Sequence, residues 1–143
     1  MKTIIAVQGS GGIGKTPAVR AVFNMMNIKG NFTILIDDYD IKATGTYLSK
    51  EIGIESQGDP NFRQGESLKD FAVAGCDIIV CACRTKGETV DNIKRIARGH
   101  SYKIIWTSTY FSTSAKRTHG IMPNGADLND AFAKAIVDLI GKL

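Results

Sequence analysis

The sequence predicts an α/β fold: three layers (α/β/α), with a mostly parallel central sheet and a β-hairpin at its edge. Short apolar runs rich in β-branched residues alternate with amphipathic helical patterns, which is typical of parallel strands covered by helices on both faces. Within residues 41–56 apolar and polar residues alternate instead, which favours a hairpin. A chain of 143 residues has the size of one domain, so we expect a single domain over residues 1–143.

Four continuous apolar runs predict strands that are buried in the sheet. They are residues 3–7, 33–36, 78–83 and 103–106. Runs of this length without alternation are expected when helices cover both faces of a strand.

Four segments have apolar residues spaced three and four positions apart, which predicts helices. They are residues 19–26, residues 67–74, residues 90–97 with an end at Gly99, and residues 128–143. The last pattern is the most regular.

Composition favours a soluble, cytoplasmic protein without a membrane partner. Hydrophobic residues make up 43% and charged residues 22% of the chain, as in ordinary globular proteins. The apolar run at residues 3–7 ends at Gln8 and Gly9, and it is too short for a signal peptide. The formal net charge of +4 suits anionic ligands such as nucleotides, and is compatible with nucleic acid without demanding it.

The three cysteines, Cys76, Cys81 and Cys83, are predicted to be reduced and buried. An odd number of cysteines in a chain without a secretory signal argues against a disulfide framework. Cys81 and Cys83 lie within the apolar run at residues 78–83, where cysteine behaves as a small hydrophobic residue.

The glycine-rich segment after the first strand carries the most specific motif. The pattern G-x-x-x-x-G-K-[ST] is matched by Gly9, Ser10, Gly11, Gly12, Ile13, Gly14, Lys15 and Thr16. Glycines allow the backbone to wrap a phosphate with its N–H groups pointing inward, and the following helix adds its positive end. Lys15 would reach the β- and γ-phosphates, and the Thr16 hydroxyl would bind Mg²⁺.

On these residues the chain resembles the P-loop NTPase superfamily, closely over the first strand, loop and helix and loosely beyond them. The resemblance implies a P-loop fold and a Mg²⁺-dependent site for a nucleoside triphosphate, with ATP as the expected nucleotide. Small nucleotide-kinase-like proteins and partitioning ATPases are the similar subgroups, and the order of P-loop, strand and acidic cluster is similar to the latter.

Pro17 departs from that family pattern, because P-loop proteins usually donate a backbone N–H to the α-phosphate at this position. Proline has no N–H. We therefore expect weakened nucleotide binding, with a Kd in the micromolar range or above.

Phosphoryl transfer also needs an acidic group near the metal. The cluster Asp37, Asp38 and Asp40 ends a strand that we expect to neighbour the P-loop, and ligands of open sheets bind at such ends. We select Asp37 as a catalytic and metal-binding residue and Asp59 as the second metal-binding candidate. The strand at residues 78–83 has no acidic end.

That strand delivers Arg84 to the same edge of the sheet instead. There a cation would stabilise charge on the γ-phosphate or bind an anionic small-molecule acceptor, so Arg84 is a candidate catalytic residue. The polar, basic segment of residues 112–120 is a candidate lid over phosphate.

Three functions fit these residues. In the first, the chain cleaves or transfers the γ-phosphate, for instance as a small-molecule or nucleotide kinase. The second is a GTPase-like switch, since residues 55–58, 85–88 and 113–116 are similar to short GTPase motifs. The third is a non-hydrolysing nucleotide sensor or nucleic-acid-associated module, which Pro17 and the net charge favour. The base, the phosphoryl acceptor and the oligomeric state are left open by the sequence.

Overall fold

A computed structural model describes residues 2–9, 14–110 and 125–143 as one sheet with four helices. Along the chain the elements are β1 (Thr3–Gln8), α1 (Lys15–Asn27), β2 (Asn31–Asp37), β3 (Ile41–Tyr47), β4 (Lys50–Glu55), α2 (Gln64–Val73), β5 (Ile78–Cys83), α3 (Glu88–His100), β6 (Lys103–Ser108) and α4 (Gly125–Gly141).

The six strands lie in the order β2-β3-β4-β5-β1-β6. Parallel pairs join β4 to β5, β5 to β1 and β1 to β6, whereas β2, β3 and β4 form antiparallel pairs. Among the described strands, β3 alone therefore runs against the others. The predicted α/β class and the mostly parallel sheet are confirmed.

Side chains of β1 alternate between two apolar clusters, because successive residues of a strand point to opposite faces. Ile5 and Val7 join the buried residues of α1 and α4, and Ile4 and Ala6 join those of α2 and α3. Helices thus cover both faces of the central strands, which explains the continuous apolar runs of β1 and β5.

Residues 33–36 form a strand as predicted, but the prediction that this strand is buried is wrong. They belong to β2, which forms one edge of the sheet and is separated from β1 by three strands. Ile34 and Leu35 are 47% and 52% exposed. Residues 38–40 connect β2 to β3, and so short a connection reverses the chain, whereas a parallel neighbour requires a crossover of a dozen or more residues.

Residues 103–106 were also predicted to be buried, and this is wrong as well. They lie in β6, which pairs with β1 and forms the other edge of the sheet, so Trp106 is 38% exposed. The predicted hairpin is confirmed as β3 and β4. The hairpin does not form the edge of the sheet, because β2 pairs with β3 on its outer side.

Two helices begin three residues before their predicted starts. In α2 the first residue is Gln64, which is buried and donates side-chain hydrogen bonds to the carbonyls of Ala82 and Thr89. A buried polar residue is invisible to a search for apolar periodicity. The helix α4 begins at Gly125 rather than at residue 128 and ends at Gly141. The helix α3 ends at His100, one residue past the predicted Gly99.

Candidate functional site

Polar and charged residues collect at the edge of the sheet where β1, β2, β4, β5 and β6 end. Since these five strands run in one direction, their carboxyl ends share this edge, and β3 begins there. The residues that follow the strands include Gly9, Asp38, Asp40, Asp59 and Arg84. Ligands of open α/β sheets bind outside the carboxyl ends of the strands.

Lys15 is the first residue of α1 and lies at this edge. The preceding Gly14 has φ 81°, a left-handed conformation that glycine adopts without steric cost. The Lys15 side chain is buried, and its Nζ donates to the carbonyls of Gly9 at 3.0 Å and Cys83 at 3.3 Å. The ammonium group is therefore held between the ends of β1 and β5.

Burial lowers the pKa of Lys15 from its usual value, and neighbouring charges modify that effect. Asp59 acts to raise the pKa of Lys15, whereas Arg84 acts to lower it. Desolvation disfavours the charged ammonium. An anionic ligand at this position would favour the charged form in return.

Thr16 is tied to the acidic loop between β2 and β3. Its Oγ1 donates a hydrogen bond of 2.6 Å to Oδ1 of Asp40, which also accepts a 2.9 Å bond from the hydroxyl of Ser56. Ser56 Oγ in turn accepts from the backbone N–H of Ile41 at 2.8 Å. The carboxylate of Asp40 is therefore fixed beside Thr16 by groups from β3 and the end of β4.

Asp37, the first choice from the sequence, is engaged elsewhere. Its Oδ1 accepts a 2.8 Å bond from Nη2 of Arg20, and its side chain is 52% exposed. The same Arg20 nitrogen donates to the backbone carbonyl of Asp38. Asp40, three residues further on, is the carboxylate that contacts Thr16.

An ion pair between the buried Glu55 and the half-buried Arg63 contacts the acidic loop of residues 38–40. Glu55 is fully buried and accepts from Arg63 Nε at 2.7 Å, from Arg63 Nη2 at 3.2 Å and from the Ser67 hydroxyl at 2.7 Å. Arg63 also donates from Nη1 to Asp38 at 3.1 Å. The other oxygen of the Asp38 carboxylate accepts from the backbone N–H of Asp40 at 2.8 Å.

These bonds form a continuous chain from Glu55 through Arg63 and Asp38 to Asp40, and from there to Thr16. Hydrogen bonds from the Asp40 backbone N–H and the Arg63 side chain lower the pKa of Asp38. Arg63 has no motif around it, and the sequence interpretation missed it. An acidic residue at the end of a strand, such as Glu55, is the one local feature that points to this cluster.

A small cavity of about 110 Å³ joins the predicted residues Lys15, Thr16 and Asp59. Pro17 and Tyr39 also line it. Asp59 forms a 2.8 Å ion pair with Nε of Arg84, so Arg84 lies next to this cavity. A larger cavity of about 550 Å³ between α1 and α4 is lined by Met25, Ile28 and Lys134 among others, and none of the predicted site residues lines it.

Part of the predicted phosphate loop, Ser10, Gly11, Gly12 and Ile13, lies outside the described residues, and so does the candidate lid at residues 112–120. Gly9 and Gly14, at the two ends of that loop, lie at the end of β1 and directly before α1. Pro17 is the third residue of α1. In the first turn its missing N–H costs the helix no internal hydrogen bond.

The oxygen atoms at the start of α1 include the Thr16 hydroxyl and the carboxylate of Asp40. Over residues 2–9, 14–110 and 125–143, no group of three or more His, Cys, Asp or Glu side chains is placed to hold a metal ion. Mg²⁺ bound with nucleotides usually takes one or two protein oxygens, substrate phosphates and several waters. The hydroxyl of Thr16 and the carboxylate of Asp40 fit that requirement.

Comparison with protein-family models, curated proteins and solved structures finds no match. Within the described part of the chain, every helix is too short or too polar to cross a bilayer.

Proposed function

We propose that this chain has a P-loop fold, binds a Mg²⁺-nucleoside triphosphate, ATP in the first instance, and cleaves or transfers its γ-phosphate. One observation carries the proposal. Lys15 and Thr16 begin α1 at the carboxyl edge of the sheet, line one cavity with Asp59, and have Asp40 hydrogen-bonded to the Thr16 hydroxyl. The motif thus occurs in the strand–loop–helix context that its chemistry requires.

Lys15 would bind phosphate oxygens with the ammonium that now contacts two backbone carbonyls. A phosphate is a stronger partner than a neutral carbonyl, because hydrogen bonds between charged groups are shorter and stronger. The glycine-rich loop and the positive end of α1 would supply further donors. Each of these interactions favours a polyphosphate over a neutral ligand.

Thr16 and Asp40 are the residues that would hold Mg²⁺. Asp59 lines the same cavity as Thr16 and would accept hydrogen bonds from water molecules on the ion. When bound, the ion would neutralise charge on the phosphates. Arg84 would add a second positive charge near the γ-phosphate, where charge must be stabilised during transfer.

The test is calorimetry with Mg²⁺ and ATP or GTP, followed by measurement of phosphate release. We expect Lys15→Ala to lose binding, since its ammonium lies in the site. The matched control is Lys94→Ala, which removes an exposed lysine of α3 and should bind like the wild type. Equal binding by Lys15→Ala and the wild type would contradict the proposal.

The same experiment separates the two alternatives. Selective binding of GTP in a direct competition would favour the GTPase-like switch. Tight binding without phosphate release, even in a single turnover, would favour the sensor or nucleic-acid-associated module.

A further inference from the structure

A second cavity at the carboxyl edge of the sheet, besides the one beside Lys15, has a volume of about 260 Å³ and lies where β5 passes into α3. Its lining includes Pro60, Arg84, Lys86, Glu88 and Thr89. This volume is below the roughly 300–1,000 Å³ of pockets for drug-sized ligands. It suits a small molecule or one charged group of a larger one.

The Arg84–Asp59 ion pair connects this cavity to the one beside Lys15. Asp59 lines the first cavity, Arg84 lines the second, and Oδ1 of Asp59 lies 2.8 Å from Nε of Arg84. The Lys15 ammonium contacts the carbonyl of Cys83, the residue that precedes Arg84. Two ligands bound in the two cavities would therefore be neighbours.

The polar groups around the second cavity divide into occupied and available ones. Glu88 accepts from the backbone N–H of Asn61 at 2.7 Å, and the Thr89 hydroxyl accepts from the N–H of Arg84 at 2.9 Å. Within the described part of the chain, the two terminal nitrogens of Arg84 donate no hydrogen bond, and Lys86 forms no ion pair. Among the described residues at this cavity the donors that remain available are therefore cationic, while Oε2 of Glu88 is occupied by the Asn61 N–H.

The first turn of α3 adds backbone N–H donors, and it also carries the carboxylates of Glu88 and Asp91. Gly87 precedes this helix with φ 94°, and no side chain caps the first turn. An arginine fork, an ammonium and helix N–H groups together offer more donors than a carboxylate with two oxygens can use, and so they favour a phosphate with three free oxygens.

We propose that this cavity binds the phosphate group of a small phosphomonoester, which is the second substrate of the chain. The proposal rests on the proposed function, because it makes that phosphomonoester the phosphoryl acceptor. In the transfer, a hydroxyl oxygen of the acceptor bonds to the γ-phosphorus, and the bond from that phosphorus to the β,γ-bridging oxygen breaks. The bonding pair leaves with the nucleoside diphosphate, and the hydroxyl proton passes to water.

The test uses amide NMR on the protein saturated with Mg²⁺ and AMPPNP, an ATP analogue that is not hydrolysed. Inorganic phosphate is the probe, and potassium acetate at the same ionic strength is the comparison. Phosphate is expected to shift the amides of Lys86, Gly87 and Glu88, and acetate is expected to shift them less. Lys86→Ala should weaken the affinity for phosphate, measured from these amide shifts, about three- to tenfold, since one charge-assisted contact at an exposed position is lost.

Lys86→Arg, which keeps the charge, should retain the response, and Lys94→Ala serves as the surface control. Two results would contradict the second site and leave the proposed function intact, provided that AMPPNP binds. In one, phosphate does not shift these amides; in the other, it shifts them equally in the wild type and in Lys86→Ala. A larger response to acetate than to phosphate would overturn the assignment of a phosphomonoester. Failure of AMPPNP to bind the wild type would overturn the proposed function, and the acceptor site with it.

Discussion

The hydroxyl of Thr16 donates a 2.6 Å hydrogen bond to the carboxylate of Asp40. This length is typical of an O–H group bonded to an ionised oxygen. The bond joins the first turn of α1 to the loop between β2 and β3, two segments 24 residues apart in the chain. It makes Asp40, rather than Asp37, the carboxylate at the start of α1.

Asp40→Asn is expected to weaken Mg²⁺-dependent nucleotide binding about ten- to hundredfold, the equivalent of one charge-assisted hydrogen bond or ligand. Binding without Mg²⁺ should change little, because the phosphate contacts that we propose for Lys15 do not involve Asp40. Calorimetry with and without the metal measures both. Asp37→Asn is the matched comparison, and if that variant alone loses the metal dependence, Asp37 and not Asp40 serves the metal.

Pro17→Ala is expected to tighten nucleotide binding by about ten- to hundredfold. The substitution restores a backbone N–H in the first turn of α1, and a hydrogen bond from it to a charged phosphate contributes about 1.5–3 kcal/mol. Titration of both proteins with the same Mg²⁺-nucleotide measures the gain. Unchanged affinity in a correctly folded variant would contradict the expectation that Pro17 weakens nucleotide binding.

Arg63→Met is expected to lower the free energy of unfolding by about 3–5 kcal/mol, because it leaves the fully buried Glu55 without its charged partner. Adding Glu55→Gln should recover part of the loss, since the unpaired charge is removed. Urea unfolding of the single and double variants measures this. Arg98→Met, at an exposed position of α3, should stay within about 0.5 kcal/mol of the wild type, and a similar small effect of Arg63→Met would contradict the role of the ion pair.

The stability of the nucleotide-free protein should depend on pH through Lys15. Burial places the pKa of Lys15 in the folded protein below its usual value of 10.5, so the unfolded chain binds more protons between those two values. The free energy of unfolding therefore rises with pH through that window. Compared with Lys15→Met, the wild type should gain stability as the pH approaches 10.5 in urea unfolding. A constant or falling difference between the two proteins would contradict the effect of burial.

The three cysteines should resist alkylation in the folded protein. All are free and buried, as the sequence predicted. Burial raises the pKa of the Cys76 thiol to about 11 and that of Cys83 to about 12, and the pKa of Cys81 lies well above its usual value. Since the thiolate is the reactive form, iodoacetamide at pH 8 should label none of them without denaturant and all three in urea, as counted by mass spectrometry. Rapid labelling of native Cys83 would show that the end of β5 opens.

Local patterns predicted most of the helices and strands, because apolar periodicity reports which face of an element is buried. They did not predict how the strands are arranged. The apolar run of β2 has the same pattern as that of β1, and yet β2 lies at an exposed edge of the sheet. The turn at residues 38–40 pairs β2 with β3, and no strand lies on its other side in the described sheet. Burial of a strand depends on its neighbours, and those neighbours are distant in the chain.

The amino-acid sequence by itself determined where the glycine-rich motif lies, since Gly14, Lys15 and Thr16 are recognised by their local spacing between a strand and a helix. The tertiary structure alone decided which acidic group meets Thr16. Arg20 binds Asp37, and Arg63, itself held by the buried Glu55, binds Asp38. Asp40 therefore faces Thr16. Which carboxylate contacts Thr16 depends on side chains from three separate segments that lie together at one edge of the sheet. A local sequence pattern contains no information about contacts between distant segments.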